Sequence, residues 1–254
     1  MDKSQVSAER KQLVVKSNEI VQKSRYHLGT QQQKLILYMI SKIRPEDTDF
    51  KEYTFELKNL CKILNIDVNG ANYYRFKESI KKIADTSFWL EIDGKDKLYR
   101  WIDDVSIENG KTLVKIKFDE DLKPFLLQLK ESFTYYQLEN VLCFDSKYSF
   151  RLYEIFQSYG FIGEITLSLE DLKRMLMIEN KYDRFSMFKV NVLNKAIDEI
   201  NKYTDVSVSY ELIRENRIIT KIKFDVFRSI TNERITERNR QIKLGVIDDE
   251  NTIL

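Results

Sequence analysis

The chain has 254 residues, of which 43% are hydrophobic and 32% charged, with a formal net charge of +2. That composition describes a globular, well-solvated protein, and the longest apolar run, Leu35-Ile36-Leu37-Tyr38-Met39-Ile40, is too short to cross a bilayer. A single histidine, His27, excludes a paired-histidine metal site, and the seven glycines form neither a phosphate-cradling loop nor a G-x-S-x-G elbow. The expectation is a cytoplasmic binding protein with no cofactor, no metal, no membrane partner and no enzymatic activity. Cys61 and Cys143, set among apolar residues without a Cys or His neighbour, are expected to be buried free thiols.

In chain order, Lys34–Ile40 opens with an apolar helix, and Tyr53-Thr54-Phe55-Glu56 alternates as a strand that runs into a short helix. The spacing of Leu57, Leu60, Ile63, Leu64 and Ile66 is one amphipathic stripe. After the polar break Asp67-Val68-Asn69-Gly70, a longer helix is expected over 71–85, burying Tyr73, Phe76, Ile80 and Ile83. Strand-like Ser87–Ile92 follows, then an Asn109-Gly110 hairpin turn and the strand Lys115-Ile116-Lys117-Phe118-Asp119.

The same order then recurs. Tyr148–Ile155 matches the opening helix, and Ile165-Thr166-Leu167-Ser168 the strand. Leu169, Leu172, Met175, Leu176 and Ile178 repeat the short stripe. A break at 179–183 precedes a long helix over 185–203, expected to bury Val190, Leu193, Ile197 and Ile200. Val206–Leu212 is the counterpart of Ser87–Ile92. Glu215-Asn216 is the turn, and the pentapeptide KIKFD reappears as Lys221–Asp225. A helix-turn-helix followed by a β-hairpin is a winged helix. The expected fold is therefore α+β, with two tandem winged-helix domains related by internal duplication, at 13–130 and 131–228, and a tail at 229–254.

Several stretches carry a resemblance. They are V-V-K-S-N-E-I-V-Q-K-S-R-Y-H-L-G-T-Q-Q-Q-K-L-I-L-Y-M-I-S-K-I (residues 14–43), Tyr99-Arg100-Trp101-Ile102, Leu122-Lys123-Pro124-Phe125-Leu126, Phe133-Thr134-Tyr135-Tyr136-Gln137-Leu138, Tyr148–Glu154 and Ala196–Asn201. In this order they resemble the iteron-binding replication initiators of theta-replicating plasmids and related small circular replicons. The resemblance covers about residues 13–228. It implies that monomers bind repeated origin sequences in double-stranded DNA, while dimers joined through the N-terminal domain repress their own promoter at an operator. Host proteins such as the helicase then complete initiation. Residues beyond Ile230 have no counterpart in the pattern and read as a frayed or host-facing segment. The competing readings are a tandem winged-helix transcription regulator with no replication role and a protein-interaction scaffold.

The second helix of a helix-turn-helix lies in the major groove. At 100° per residue the face opposite Ile80 carries Ala71, Tyr74, Arg75, Glu78 and Lys82. Arg75 suits guanine, and Tyr74 and Lys82 suit phosphate. Asn72 is either a contact or a cap. In the second unit the equivalent face carries Phe188, Asn191, Lys195 and Glu199, flanked by Arg184 and Lys189; Lys181 and Arg184 suit phosphate, and Asn191 suits adenine. Phe188 is either a thymine-methyl contact or a core residue. Arg214 and Arg217 flank the hairpin tip, and Glu78 and Glu199 must sit at the helix margins or accept from cytosine. Local clusters (Lys181, Arg184, Lys189, Lys195; Arg228, Arg234, Arg238, Arg240, Lys243) supply positive charge that the net value conceals.

Overall fold

The computed structural model describes residues 1–67, 69–107, 112–160, 163–228 and 233–245; the Asn109-Gly110 turn and the side chains of Arg234 and Arg238 lie outside them. The chain divides into two units, Met1–Leu138 and Glu139–Leu254.

The first unit runs α1 (Lys3–Arg10), β1 (Leu13–Ser17), α2 (Asn18–Lys23), α3 (Thr30–Ser41), β2 (Tyr53–Glu56), α4 (Leu57–Ile63), α5 (Gly70–Ala84), β3 (Ser87–Ile92), β4 (Lys95–Arg100), β5 (Ile102–Ile107), β6 (Leu113–Phe118), α6 (Lys123–Leu126) and β7 (Phe133–Gln137). The unit is longer than 13–130 at both ends, for identifiable reasons. Upstream, buried Arg10 donates from Nε to the carbonyl of Ile63 (2.9 Å) and from Nη2 to that of Lys62 (2.5 Å), satisfying the open end of α4. Downstream, β7 pairs antiparallel with β1 from Leu13↔Gln137 to Ser17↔Phe133.

The second unit contains α7 (Leu138–Leu142), α8 (Lys147–Ser158), β8 (Gly163–Ser168), α9 (Leu169–Met175), α10 (Phe185–Phe188), a π-helical turn (Lys189–Asn194), α11 (Lys195–Tyr203), β9 (Val206–Glu215), β10 (Ile218–Arg228) and α12 (Glu233–Lys243). Within the stretch expected to be a frayed or host-facing tail, residues 233–243 form α12, which is tied to the second unit. Asn239 Nδ2 donates to the Lys202 carbonyl (3.4 Å), Lys243 pairs with Asp145 (2.7 Å), and buried Arg240 reaches Asn140, Glu139 and Glu237.

The duplication is visible in detail. Strands order as β2-β6-β5 in one unit and β8-β10-β9 in the other, all antiparallel. Helices α4 and α9 both end in a left-handed residue, Asn65 (φ 54°) and Met177 (φ 56°). In each the next amide reaches back to close the last turn, Ile66 to the Cys61 carbonyl and Ile178 to the Lys173 carbonyl, both at 2.9 Å. That closure bends the chain into the second helix.

KIKFD itself, however, is out of structural register. Tyr53 faces Ile116 across β2–β6, whereas Ile165, its counterpart, faces Phe224 across β8–β10. The equivalent of Phe224 is therefore Ile116, not Phe118, a slip of two residues. Because strand side chains alternate, a two-residue slip keeps every side chain on its own face. The ion pairs agree with the structural register: Lys115 pairs with Glu52 (3.3 Å) and Lys223 with Glu164 (2.5 Å), and each glutamate lies just before the residue that opens the matching strand segment.

A second correction concerns Ser87–Ile92. The counterpart of β9 is β5, which pairs with β6; β3 pairs instead with β4 in a separate hairpin turned by Asp93 (φ 50°) and Gly94 (φ 71°). Asp-Gly is a strong two-residue turn signal. The hairpin supplies core to the first unit, with Phe88 stacked on Trp101 (4.7 Å) and Tyr26 edge-on to Trp101 (5.4 Å). Tyr99 and Trp101 are thus core residues, while Trp89 stays 47% exposed opposite Leu98. Cys61 and Cys143 are buried and free, as expected.

Candidate nucleic-acid interface

In the first unit α5 is the second helix of the helix-turn-helix. Its cap is Asn69, whose Oδ1 accepts from the Asn72 amide (3.0 Å), so Asn72 lies inside the first turn and is half-buried. Phe76, Ile80 and Ile83 are buried as expected, whereas Tyr73 is only half-buried, and Gln32 Nε2 donates to the Ser79 carbonyl (3.3 Å), fixing α5 against α3. The opposite face presents Ala71, Tyr74 (64% exposed), Arg75 and Lys82. Glu78 pairs with Lys81 (2.8 Å), and the lysine holds its carboxyl below the ordinary carboxylate value.

The second unit departs from expectation. Phe188 is fully buried with Val192, Leu193, Ala196, Ile197 and Ile200, whereas Val190 is 63% exposed and Met187 52%. The reason is the π turn at Lys189–Asn194. An i→i+5 turn holds more residues than an α turn, so the buried stripe upstream of it shifts along the sequence. Phe188 is therefore removed from the set of possible base contacts, and Val190 from the core.

Asn191 stays exposed, with Nδ2 donating to the Met187 carbonyl (2.9 Å) inside the turn. Asn194 accepts from the Tyr210 hydroxyl (2.8 Å), tying the helix to β9. Arg184 is the residue that caps α10, and it is exposed, as are Lys181 and Lys195; Lys189 is half-buried. The turn before the helix is held by Lys173, whose ammonium donates to the carbonyls of Lys181 (3.3 Å) and Tyr182 (3.2 Å).

Glu199 does not face outward as a base contact. Its carboxylate accepts from the amides of Asp145 (3.3 Å) and Ser146 (3.2 Å) and from the Ser149 hydroxyl (2.6 Å), at the N-terminus of α8. The hairpin tip is Asn216 (φ 48°) and Arg217 (φ 69°), one residue beyond the expected Glu215-Asn216, since Glu215 still pairs with Ile218. Two consecutive left-handed residues give the turn that matches strand twist. Arg217 is exposed there, and Arg214 Nη1 donates to its carbonyl (3.4 Å).

Lys115, Lys117 and Lys223 on the sheets are each paired with a glutamate. Among the described residues, Arg75, Lys82, Lys181, Arg184, Lys189, Lys195 and Arg217 have no carboxylate partner. Lys147, at the start of α8, was not anticipated; burial, then the charge of Lys181, holds its ammonium below the ordinary lysine value. Such faces, apolar behind and cationic in front, suit the polyanionic wall of a duplex groove.

Residues 13–157 match the family model described as Initiator Replication protein, WH1, and residues 168–226 match Initiator Rep protein, WH2. The chain belongs to the Initiator Replication protein family. The chain carries both winged-helix domains of that family, the first match running on past Leu138 into α8, and the chain is a replication initiator. Among its relatives, a replication initiation protein of Escherichia coli is 28% identical over 246 residues, covering 92% of this chain and 75% of the relative. The PI protein of Escherichia coli is 33% identical over 130 residues, covering 44% of this chain and 43% of that one. In fold, the chain is similar to the Pi initiator protein solved in complex with iteron DNA, with a TM-score of 0.69 and 21% identity, covering 87% of this chain and 99% of that one. It is also similar to domains 2 and 3 of RctB, with a TM-score of 0.50, 14% identity and coverage of 79% and 81%.

Proposed function

We propose that this initiator recognises repeated sequences at a plasmid-type origin by placing α5 in one major groove and α10–α11 in another. The observation that carries the reading is the recurrence, in both family domains, of a second helix anchored by a buried stripe with cations lacking carboxylate partners on its exposed side. Arg75 and Asn191 read bases, Lys82, Lys181, Arg184, Lys189 and Lys195 neutralise phosphate, Tyr74 and Asn72 border the contact, and Arg214 and Arg217 carry the wing to the backbone or minor groove. The Pi initiator solved with iteron DNA supports the choice of ligand.

The first unit, Met1–Leu138, also provides the self-association surface, and the dimer represses its own promoter. The β1–β7 ribbon supports this, since Leu13, Phe133 and Tyr135 are exposed along it. A host helicase is the further partner. No helix among the described residues is long and apolar enough to cross a membrane, consistent with work in the bacterial cytoplasm.

Affinity for a repeat and for scrambled duplex, measured across salt concentrations, tests the reading. Roughly six neutralised phosphates at about −0.9 each give a log–log salt slope near −5. The repeat must be preferred at every salt; equal affinity for both duplexes refutes sequence-specific recognition.

A further inference from the structure

The exposed face of the second recognition helix is not wholly polar. Met187 and Val190, three residues apart, stand 52% and 63% exposed at its outer end. Asn191, four residues beyond Met187, and then Lys195 continue the same face, while Phe188 and Val192 point inward. This placement follows from the π turn: regular α winding would put Val190 on the stripe of Leu193 and Ile197. The local geometry is held from two sides, by the Asn191–Met187 hydrogen bond and by the Tyr210–Asn194 hydrogen bond. Two apolar side chains are thus displayed on a helix whose exposed groups nearby are Arg184, Ser186, Asn191 and Lys195, with Lys189 half-buried among them and Asp198 exposed further along.

We propose that Met187 and Val190 form an apolar reading edge for thymine 5-methyl groups in the major groove, beside the base contact of Asn191. The inference rests on the proposed DNA contact and adds residues to it. The surrounding cations specify an anionic partner, and the major groove of a duplex is the surface where an apolar methyl lies between two rows of phosphates. A thymine methyl is the one apolar group a base edge offers there. An adenine held by Asn191 has a thymine opposite it, so a methyl lies within the same base pair. The π turn then has a functional consequence, exchanging a bulky phenylalanine for two slimmer side chains at the groove floor.

The test uses the full chain and a duplex containing one repeat taken from the DNA beside its gene, with thymines replaced one at a time by deoxyuridine. Each replacement removes a single methyl and leaves base pairing intact. At one or two positions the wild-type protein should lose about fourfold in affinity, the worth of one buried methyl. A Met187→Ala/Val190→Ala variant should bind more weakly and lose all response to deoxyuridine at those positions. Both side chains are exposed, so the variant's thermal unfolding should match wild type. The inference is overturned if no single replacement weakens the wild type although the repeat is bound specifically. It is equally overturned if the variant keeps the full deoxyuridine response, or if it loses self-association while its DNA binding is unchanged. Failure to prefer the repeat over scrambled duplex would instead overturn the DNA-binding reading, and this inference with it.

Discussion

Glu199 lies on the recognition helix of the second domain but works on its inner side, and replacing it separates stability from recognition. Its carboxylate accepts three hydrogen bonds at the start of α8, from the amides of Asp145 and Ser146 and from the Ser149 hydroxyl. Glu199→Ala leaves these donors without their anionic partner at the positive end of a helix. Loss of a cap costs about 1 kcal/mol, and a charge-assisted bond adds about as much again, so the domain should lose about 2 kcal/mol. Glu199→Gln, which keeps an acceptor but not the charge, should lose about half of that. Both tryptophans, Trp89 and Trp101, are in the first unit. Tryptophan fluorescence in urea therefore reports that unit, while far-ultraviolet circular dichroism reports both. The dichroism transition assigned to the second unit should move down by about 1 M urea, given a slope of about 2 kcal/mol per molar, with the fluorescence transition unmoved. Repeat affinity, measured well below the transition, should be within twofold of wild type. An unshifted dichroism transition, or a changed base preference, would refute the capping role.

Arg75→Ala should relax base choice at particular positions and cost about 1–3 kcal/mol on the repeat, whereas Lys181→Ala should weaken binding to every duplex alike; competition among single-base variants distinguishes the two. Burial pushes the Cys61 thiol up to about 11 from an ordinary 9.0, so it should resist a thiol reagent at pH 8 until the first unit is unfolded. The unfolded thiol ionises first, so this group's contribution to stability is intact below about pH 9 and declines as pH rises toward 11, measurable as a falling urea midpoint. Arg240→Ala should destabilise the second unit by about 2–4 kcal/mol, since it leaves buried Glu139 and Asn140 without their cation, and chemical denaturation checks it.

Periodicity read well where one regular element carried the signal. The stripes of α4, α5 and α9, the strand leading into each short helix, and the winged-helix order all follow from apolar spacing. It failed where local geometry broke the period. A single π turn moved Phe188 into the core and Val190 out of it, and single-residue spacing carries no mark of such a turn. The KIKFD repeat led to the duplication although its copies sit two residues out of register, because alternation preserves facing across an even slip. The β3–β4 hairpin could have been found from Asp93-Gly94. Pairing of Glu199 with α8, of Arg10 with α4 and of α12 with α11 depends on contacts between segments distant in sequence, which no local pattern encodes.

The central claim, that two duplicated winged helices read a repeated origin, is tested most directly by a nuclease footprint on the DNA beside the gene. Two recognition helices, each reading one turn of duplex, predict direct repeats protected over about 20 base pairs apiece. Within each repeat, protection should shrink on one side for a variant that loses Arg75 and on the other for one that loses Asn191. Uniform protection without repeats, or none at salt where unrelated duplex is released, would contradict the account.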